Sequence, residues 1–345
     1  SVVCDLPAHD RFTLAQPPSG PQYRSEAKGR GLEIVRPAVN ILRMELPNVV
    51  IDDLLGESGA PDTMGPEVRA GLTSTPKRLP SKYFYDTRGS ELFEQITGLP
   101  EYYLTRAEQA LLDASAPRIA AITQFRELFE PGAGAAKKTR TLIDSGLAEG
   151  SLERLLLVDV SHEMAEASAR TMAKEYPGLE VHGVVADFET DLEGMPPPDG
   201  RLVAFLGSTI GNFTRPEAVG LLRRMKAMAG DGGWLLLGTD LVKPRSVLEA
   251  AYNDSRGVTA RFNANILDVV NRHLDGNFVG GRFEHVATYN EVESRIESYL
   301  RARSAHSVRL HKLDLDVELD AGEMIHTEIS CKYTRESVTS LLDSA

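Results

Sequence analysis

Two cysteines in 345 residues, Cys4 and Cys331, are too few and too far apart in sequence for a disulfide framework or a cysteine metal cluster. A reducing cytoplasm is therefore the expected setting. No apolar run approaches the roughly 20 residues that span a bilayer. Ser1 to Asp10 also lack the basic and apolar regions of a signal peptide, so no membrane association is expected. Positive charge is in the minority: 38 Lys and Arg face 50 Asp and Glu, for a net charge of −12 and a pI near 5.2. That balance argues against a nucleic-acid surface. The full GxGxxG of dinucleotide dehydrogenases is missing as well. After Gly132-Ala133-Gly134 the chain runs Ala135-Ala136-Lys137-Lys138, with no glycine where the next helix would pack on the strand.

The rest of the composition, 42% hydrophobic and 26% charged, is that of an ordinary globular protein long enough for two domains. Residues 1–62 are rich in Pro, Gly and charge without a sustained period and read as a poorly specified lead-in. Helical spacing starts near Gly65 and recurs at Ser90 to Ile96 and Thr105 to Ile122. Five apolar runs follow: Leu128 to Glu130, Leu155 to Val160, Val181 to Val185, Leu202 to Leu206 and Trp234 to Leu237. Their near-continuous apolar character predicts parallel strands covered on both faces, the doubly wound α/β layout. Thr214-Arg215-Pro216-Glu217 predicts a capping box at the helix after the fourth strand. From Lys243 to Val269 the pattern is helical, and it then alternates in β fashion at Phe283 to Tyr289, Arg295 to Ala302 and Val308 to Val317. This change of rhythm predicts an added α+β domain.

The chemistry begins at Phe129-Glu130-Pro131-Gly132-Ala133-Gly134, followed by a strand that ends in Asp159. Glycines let backbone approach a nucleotide, and an acid at the end of the next strand accepts from ribose hydroxyls. With Asp187-Phe188 after the third run, this pattern resembles a class I methyltransferase that binds S-adenosylmethionine. The resemblance implies Asp159 at the ribose, Asp187 at the adenine amino group and Phe188 against the adenine ring. Asp159 as a helix cap, Asp187 as a turn residue and Phe188 as core are the structural alternatives.

Three further segments carry a closer resemblance: Leu79-Pro80-Ser81-Lys82-Tyr83-Phe84-Tyr85-Asp86, Gly89-Ser90-Glu91-Leu92-Phe93-Glu94-Gln95-Ile96-Thr97 and Leu99-Pro100-Glu101-Tyr102-Tyr103-Leu104-Thr105-Arg106-Ala107-Glu108. Together with Gly207-Ser208-Thr209-Ile210-Gly211-Asn212, Tyr252-Asn253-Asp254 and Thr327-Glu328-Ile329-Ser330-Cys331-Lys332, they resemble the ergothioneine-pathway histidine Nα-methyltransferases over about residues 65–333. That family implies a Rossmann-like methyltransferase core at 106–242 plus 333–345 and a substrate-binding domain at 63–105 plus 243–332. It implies Gly132, Lys138, Asp159, Asp187 and Phe188 as the S-adenosylmethionine site. Tyr102, Asn212 and Tyr252 would hold the amino and carboxylate end of L-histidine, Glu328 and Ser330 the imidazole, and Tyr85 would stand near the amine. No metal is implied, and a cytoplasmic monomer is expected. An N-methyltransferase for another aromatic amino acid such as tryptophan is the nearest alternative. A non-catalytic relative of the fold and, more distantly, a nicotinamide oxidoreductase are the others.

The sequence departs from the family in three places. Pro131, Ala133 and Ala135 replace an apolar residue, Ser and Thr in the glycine loop, which removes two hydroxyls and a backbone donor. Ser298 stands where a bulkier apolar residue would face the imidazole. After a helix from about Arg335 to Leu342 the chain ends at Ala345, without the family's last two strands, so an exposed sheet edge is expected.

Overall fold

The structure is a computed structural model that describes residues 48–54, 63–189 and 194–345, together with the backbone of two short strands, β1 (Val2–Val3) and β2 (Thr13–Ala15). The remainder of the expected lead-in, Cys4 included, lies outside the described residues. Apolar runs between helices build a parallel sheet from β3 (Val49–Asp53), β5 (Glu127–Pro131), β6 (Arg154–Asp159), β7 (Glu180–Val185), β8 (Arg201–Phe205) and β9 (Trp234–Leu237). The short strand β4 (Lys77–Arg78) belongs to a different sheet. The order across the large sheet is β1-β2-β9-β8-β5-β6-β7-β3. β3 was not expected: its run Val49-Val50-Ile51 lies within the supposed lead-in, yet it pairs in parallel with Val181 to Val185. The far edge also differs from the expectation of a bare β9. β2 pairs antiparallel with Leu235 to Leu237, and β1 pairs with β2, so β9 is not the exposed edge that was expected.

Alternation along the strands divides the core in two. Leu155 and Leu157 face helices α3 (Leu104–Thr123), α4 (Thr139–Glu149) and α5 (His162–Glu175), where Leu112, Leu142 and Met172 are fully buried. Leu156 and Val158 face α6 (Arg215–Ala229) and α9 (Arg335–Asp343) through Leu222 and Leu341. The predicted capping box forms at α6, with the Thr214 N–H donating to Glu217 Oε2 at 2.8 Å. One charged pair is sealed within the sheet's end: Arg201 Nε donates to Glu127 Oε2 at 2.8 Å, and both side chains are almost wholly buried.

The second body combines α1 (Met64–Leu72), α2 (Thr87–Thr97), α7 (Arg245–Tyr252) and α8 (Val258–Leu274) with the sheet β10-β11-β14-β4. In that sheet β10 is Phe283–Asn290, β11 is Arg295–Ala302 and β14 is Met324–Cys331. The helical stretch from Lys243 is broken rather than continuous. The Asp254 carboxylate accepts from the N–H groups of Arg256, Val258 and Thr259, ending one helix and capping the next. The run Val308 to Val317 likewise folds back on itself as a hairpin of β12 (His306–Leu310) and β13 (Leu315–Leu319). The apolar residues of this body, from Val68 to Ile325, form their own core.

Candidate functional site

The carboxyl ends of the parallel strands open onto a cleft of about 2200 Å³ that also borders the second body. Strand order reverses between β5 and β8, and at such a point the loops diverge and leave room for a ligand. The residues expected to bind substrate and cofactor line this one cleft: Tyr85, Tyr102, Asn212, Tyr252, Glu328 and Ser330 of the expected substrate set, with Gly132, Lys138, Asp159, Asp187 and Phe188 of the expected cofactor set.

The loop after β5 turns through Gly132 and Gly134 at φ of 70° and 50°, left-handed values that a Cβ disfavours. A Cβ on Gly132 would stand 3.4 Å from the Phe188 ring, whereas one on Gly134 would meet nothing within 4 Å, so Gly134 borders open space. Its N–H donates to Asp159 Oδ2 at 3.2 Å, and Asp159 Oδ1 accepts from the Ser161 N–H at 2.9 Å. The cap of α5 is Ser161 itself, which accepts from the Met164 N–H. Asp159 therefore pins the glycine loop to the strand end and faces the cleft. Desolvation raises its pKa against the pull of those N–H groups. Asp187 does act as a turn residue, accepting from the Glu189 N–H at 2.8 Å, while it lines the same cleft. Phe188 packs edge-on to Phe205 at 5.8 Å. Pro131 leaves the ladder intact, because the carbonyl of Val158 accepts from Gly132 at 2.8 Å and Ala133 at 3.1 Å instead. A nucleoside bearing an amino-acid tail fits this set: open backbone at Gly134, a carboxylate at Asp159, and an aromatic wall at Phe188.

Lys138 is ion-paired to Glu108, whose two oxygens also accept from the Gly207 N–H at 2.8 and 2.9 Å. Glu108 thus ties α3 to the loops after β5 and β8. Glu130 is buried against Thr139, and desolvation pushes its carboxyl up to about 7.

Among the residues of the expected substrate set, Tyr85 follows the 3-10 turn Ser81–Phe84, and its ring lies 5.7 Å from those of Phe93 and Phe262. The residue is 39% exposed and lines the cleft. Desolvation of the hydroxyl, then the charge of Glu328, hold the phenol above its ordinary pKa. Tyr102 and Tyr252 stand 6.2 Å apart at 68°. Asn212 closes the 3-10 turn Thr209–Asn212 beyond β8. Glu328 and Ser330 lie two residues apart on β14, hence on one face. Burial pushes the Glu328 carboxyl up to about 7, opposed by Lys332 and by Ser298. Ser298 sits directly across the ladder and donates to Glu328 Oε2 at 3.4 Å. The position expected to be apolar therefore offers a hydroxyl to the carboxylate.

Beneath Tyr252 and Ser330 lies a buried polar network that the sequence did not single out. Lys332 Nζ donates to Ser330 Oγ at 2.8 Å and Tyr252 Oη at 3.0 Å, and sits 3.0 Å from Asp240 Oδ2. Asp240 also accepts from Tyr103 Oη and Lys243 Nζ, both at 2.7 Å, and its N–H donates to Ser208 Oγ at 2.8 Å. Desolvation works against the Lys332 charge, and the Tyr252 oxygen and the Asp240 carboxylate overcome it. The available signal was the Lys332 and Asp240 charges at the ends of apolar strand runs, where a buried charge needs a partner.

The cleft can be set beside known proteins. The family model for histidine-specific, S-adenosylmethionine-dependent methyltransferases matches residues 64–345. The chain is 45% identical to the histidine N-alpha-methyltransferase of Mycobacterium tuberculosis (strain CDC 1551 / Oshkosh), over 86% of this chain and 92% of that one. It is 45% identical to the enzyme of the same name from Mycolicibacterium smegmatis, over 84% and 91%. Similarity extends at 28% identity to ergothioneine biosynthesis protein 1 of Neurospora crassa, over 78% of this chain and 31% of that longer one. With a doubly wound sheet, a glycine loop pinned by Asp159 and a match of this extent, the chain belongs to the histidine-specific, S-adenosylmethionine-dependent methyltransferases.

Proposed function

We propose that the cleft methylates the α-amine of L-histidine with S-adenosylmethionine, through to the trimethylated betaine hercynine of ergothioneine synthesis. The observation that carries this reading is the placement of Glu328 and Ser330 on one face of β14, in the cleft that Tyr85, Tyr102 and Tyr252 also line, in a chain of this family. Glu328 accepts from one imidazole nitrogen and Ser330 meets the other. A purely apolar side chain would leave the Glu328 carboxylate unpaired and is penalised for it. Tyr102 and Asn212 hold the amino-acid end through a phenol and an amide, which set direction without placing a fixed cation beside a sulfonium, and the Tyr252 ring, its hydroxyl engaged by Lys332 and Ser330, lines the cleft beside them.

S-adenosylmethionine supplies an electrophilic methyl on sulfur. Gly132, Lys138, Asp159, Asp187 and Phe188 are the residues that would hold it. In each transfer a C–S bond breaks and a C–N bond forms from the amine lone pair, so the amine must first lose a proton. The chain's own contribution is to hold that lone pair in line. With its pKa raised, Tyr85 remains a neutral phenol near neutral pH. Its oxygen orients the amine and passes the proton to water rather than storing it. We take residues 63–105 plus 243–332 as the substrate-binding part, and a cytoplasmic monomer as the working form.

The test is mass spectrometry after incubation with S-adenosylmethionine and the twenty amino acids. Histidine gaining up to three methyl groups is the expected result. Methylated tryptophan alone would overturn the specificity, and no methylation combined with no calorimetric binding at millimolar cofactor would point to a non-catalytic relative.

A further inference from the structure

We infer that Lys332, fully buried behind Ser330 and Tyr252, is the positioning residue that makes Ser330 an obligate hydrogen-bond donor and thereby selects a neutral imidazole. The inference rests on Ser330 meeting an imidazole nitrogen, as proposed above.

It follows from counting protons. An ammonium has three to give, and those of Lys332 are directed at Asp240 Oδ2, Tyr252 Oη and Ser330 Oγ at 3.0, 3.0 and 2.8 Å. The Tyr252 and Ser330 oxygens are themselves 2.7 Å apart, so one hydroxyl donates to the other. The Tyr252 oxygen already accepts from Lys332, and a phenol oxygen is the poorer double acceptor because its second lone pair is conjugated with the ring. The serine oxygen has two lone pairs to offer. Tyr252 therefore donates to Ser330, whose oxygen is then filled by Lys332 and Tyr252. The serine proton is left over, with no acceptor for it among the described residues. Ser330 can present only O–H to the cleft.

Two residues away on the same face, Glu328 can only accept while it is ionised. The wall thus offers one acceptor and one donor, the complement of a ring with one N–H and one bare nitrogen. An indole lacks the bare nitrogen and an imidazolium has none free. Asp240 has a part in this as the anion that keeps Lys332 charged, with Lys243 and Tyr103 holding its remaining lone pairs. Without Lys332, the serine hydroxyl could turn and accept as readily as donate.

The experiment compares kcat/KM for histidine and for the histidine analogue whose ring is a pyrrole, retaining one N–H but carrying CH in place of the bare nitrogen. The natural chain is expected to favour histidine by roughly 10- to 100-fold, since the analogue leaves a buried hydroxyl unpaired. In Lys332→Met, and in Lys332→Met combined with Asp240→Asn to keep the buried charges balanced, that preference is expected to fall at least tenfold. Unchanged calorimetric affinity for S-adenosylmethionine reports an intact fold. Lys332→Arg, which keeps the charge and its donors, is expected to retain most of the preference. Ser330→Ala reads the same quantity with the network's cation in place and is expected to lose it as well. Equal losses for both substrates in the Lys332 variants, a preference unchanged by Ser330→Ala, or no preference in the natural chain would each overturn the inference. Failure to methylate histidine at all would instead overturn the proposed function.

Discussion

Replacing Glu328 by Gln should make the chain more stable at alkaline pH and a poorer enzyme at the same time. Burial lifts the Glu328 carboxyl from 4.5 to about 7 in the fold. Between those values the folded chain holds a proton that the unfolded chain has released, so stability falls as pH rises through the window. Below about 4.5 the carboxyl is neutral in both states and the penalty vanishes, and above about 7 it is fully developed. A difference of that size corresponds to on the order of 3 kcal/mol. The glutamine amide keeps part of the desolvation cost, which leaves about 1–2 kcal/mol of gain at pH 8. For a chain of this size that amounts to a Tm rise of roughly 1–3 °C at pH 8 and next to none at pH 4.5, without ligands. Losing a charge-assisted bond to the imidazole should lower kcat/KM for histidine about 10-fold, with cofactor affinity unchanged. Differential scanning calorimetry at the two pH values and initial rates at pH 8 measure both halves. An equal Tm gain at both pH values, no gain at pH 8, or undiminished turnover of histidine would refute the reasoning.

Other substitutions probe the rest of the cleft. Tyr85→Phe should lower kcat by about 10- to 100-fold with little change in cofactor affinity, and unchanged rates and pH dependence would remove Tyr85 from proton handling. Asp159→Asn should weaken S-adenosylmethionine binding about 10- to 100-fold by calorimetry, because a charged acceptor for the ribose becomes neutral; an unaltered Kd would leave Asp159 only its hold on Gly134. Gly238→Ala would place a Cβ 2.1 Å from Glu108 Oε1 and force that carboxylate off the Gly207 N–H, so a stability loss of about 1–3 kcal/mol is expected in urea titration, and an unchanged midpoint would show that Glu108 moves freely.

Local pattern determined much of this protein. The parallel strands read as apolar runs because both sheet faces are covered, and Asp159 and Asp187 stood out because one ends such a run and the other closely follows one. β3 was not legible, since Val49-Val50-Ile51 is too short to show a period and acquires its identity only by pairing with β7. The break between α7 and α8 was missed because Asp254 acts through three backbone N–H groups whose position depends on the turn itself. The candidate substrate residues were legible through resemblance, and their convergence is the work of the fold. Tyr85, Tyr102, Tyr252 and Glu328 come from separate elements that the second body's own core brings to one cleft. Lys332 and Asp240 are 92 positions apart, from 240 to 332, and no local period links them. What the sequence by itself determined was which residues could do chemistry; what tertiary structure decided was which polar atoms lose water together, because hydrogen bonds and charges acquire direction only once burial leaves them a single set of partners.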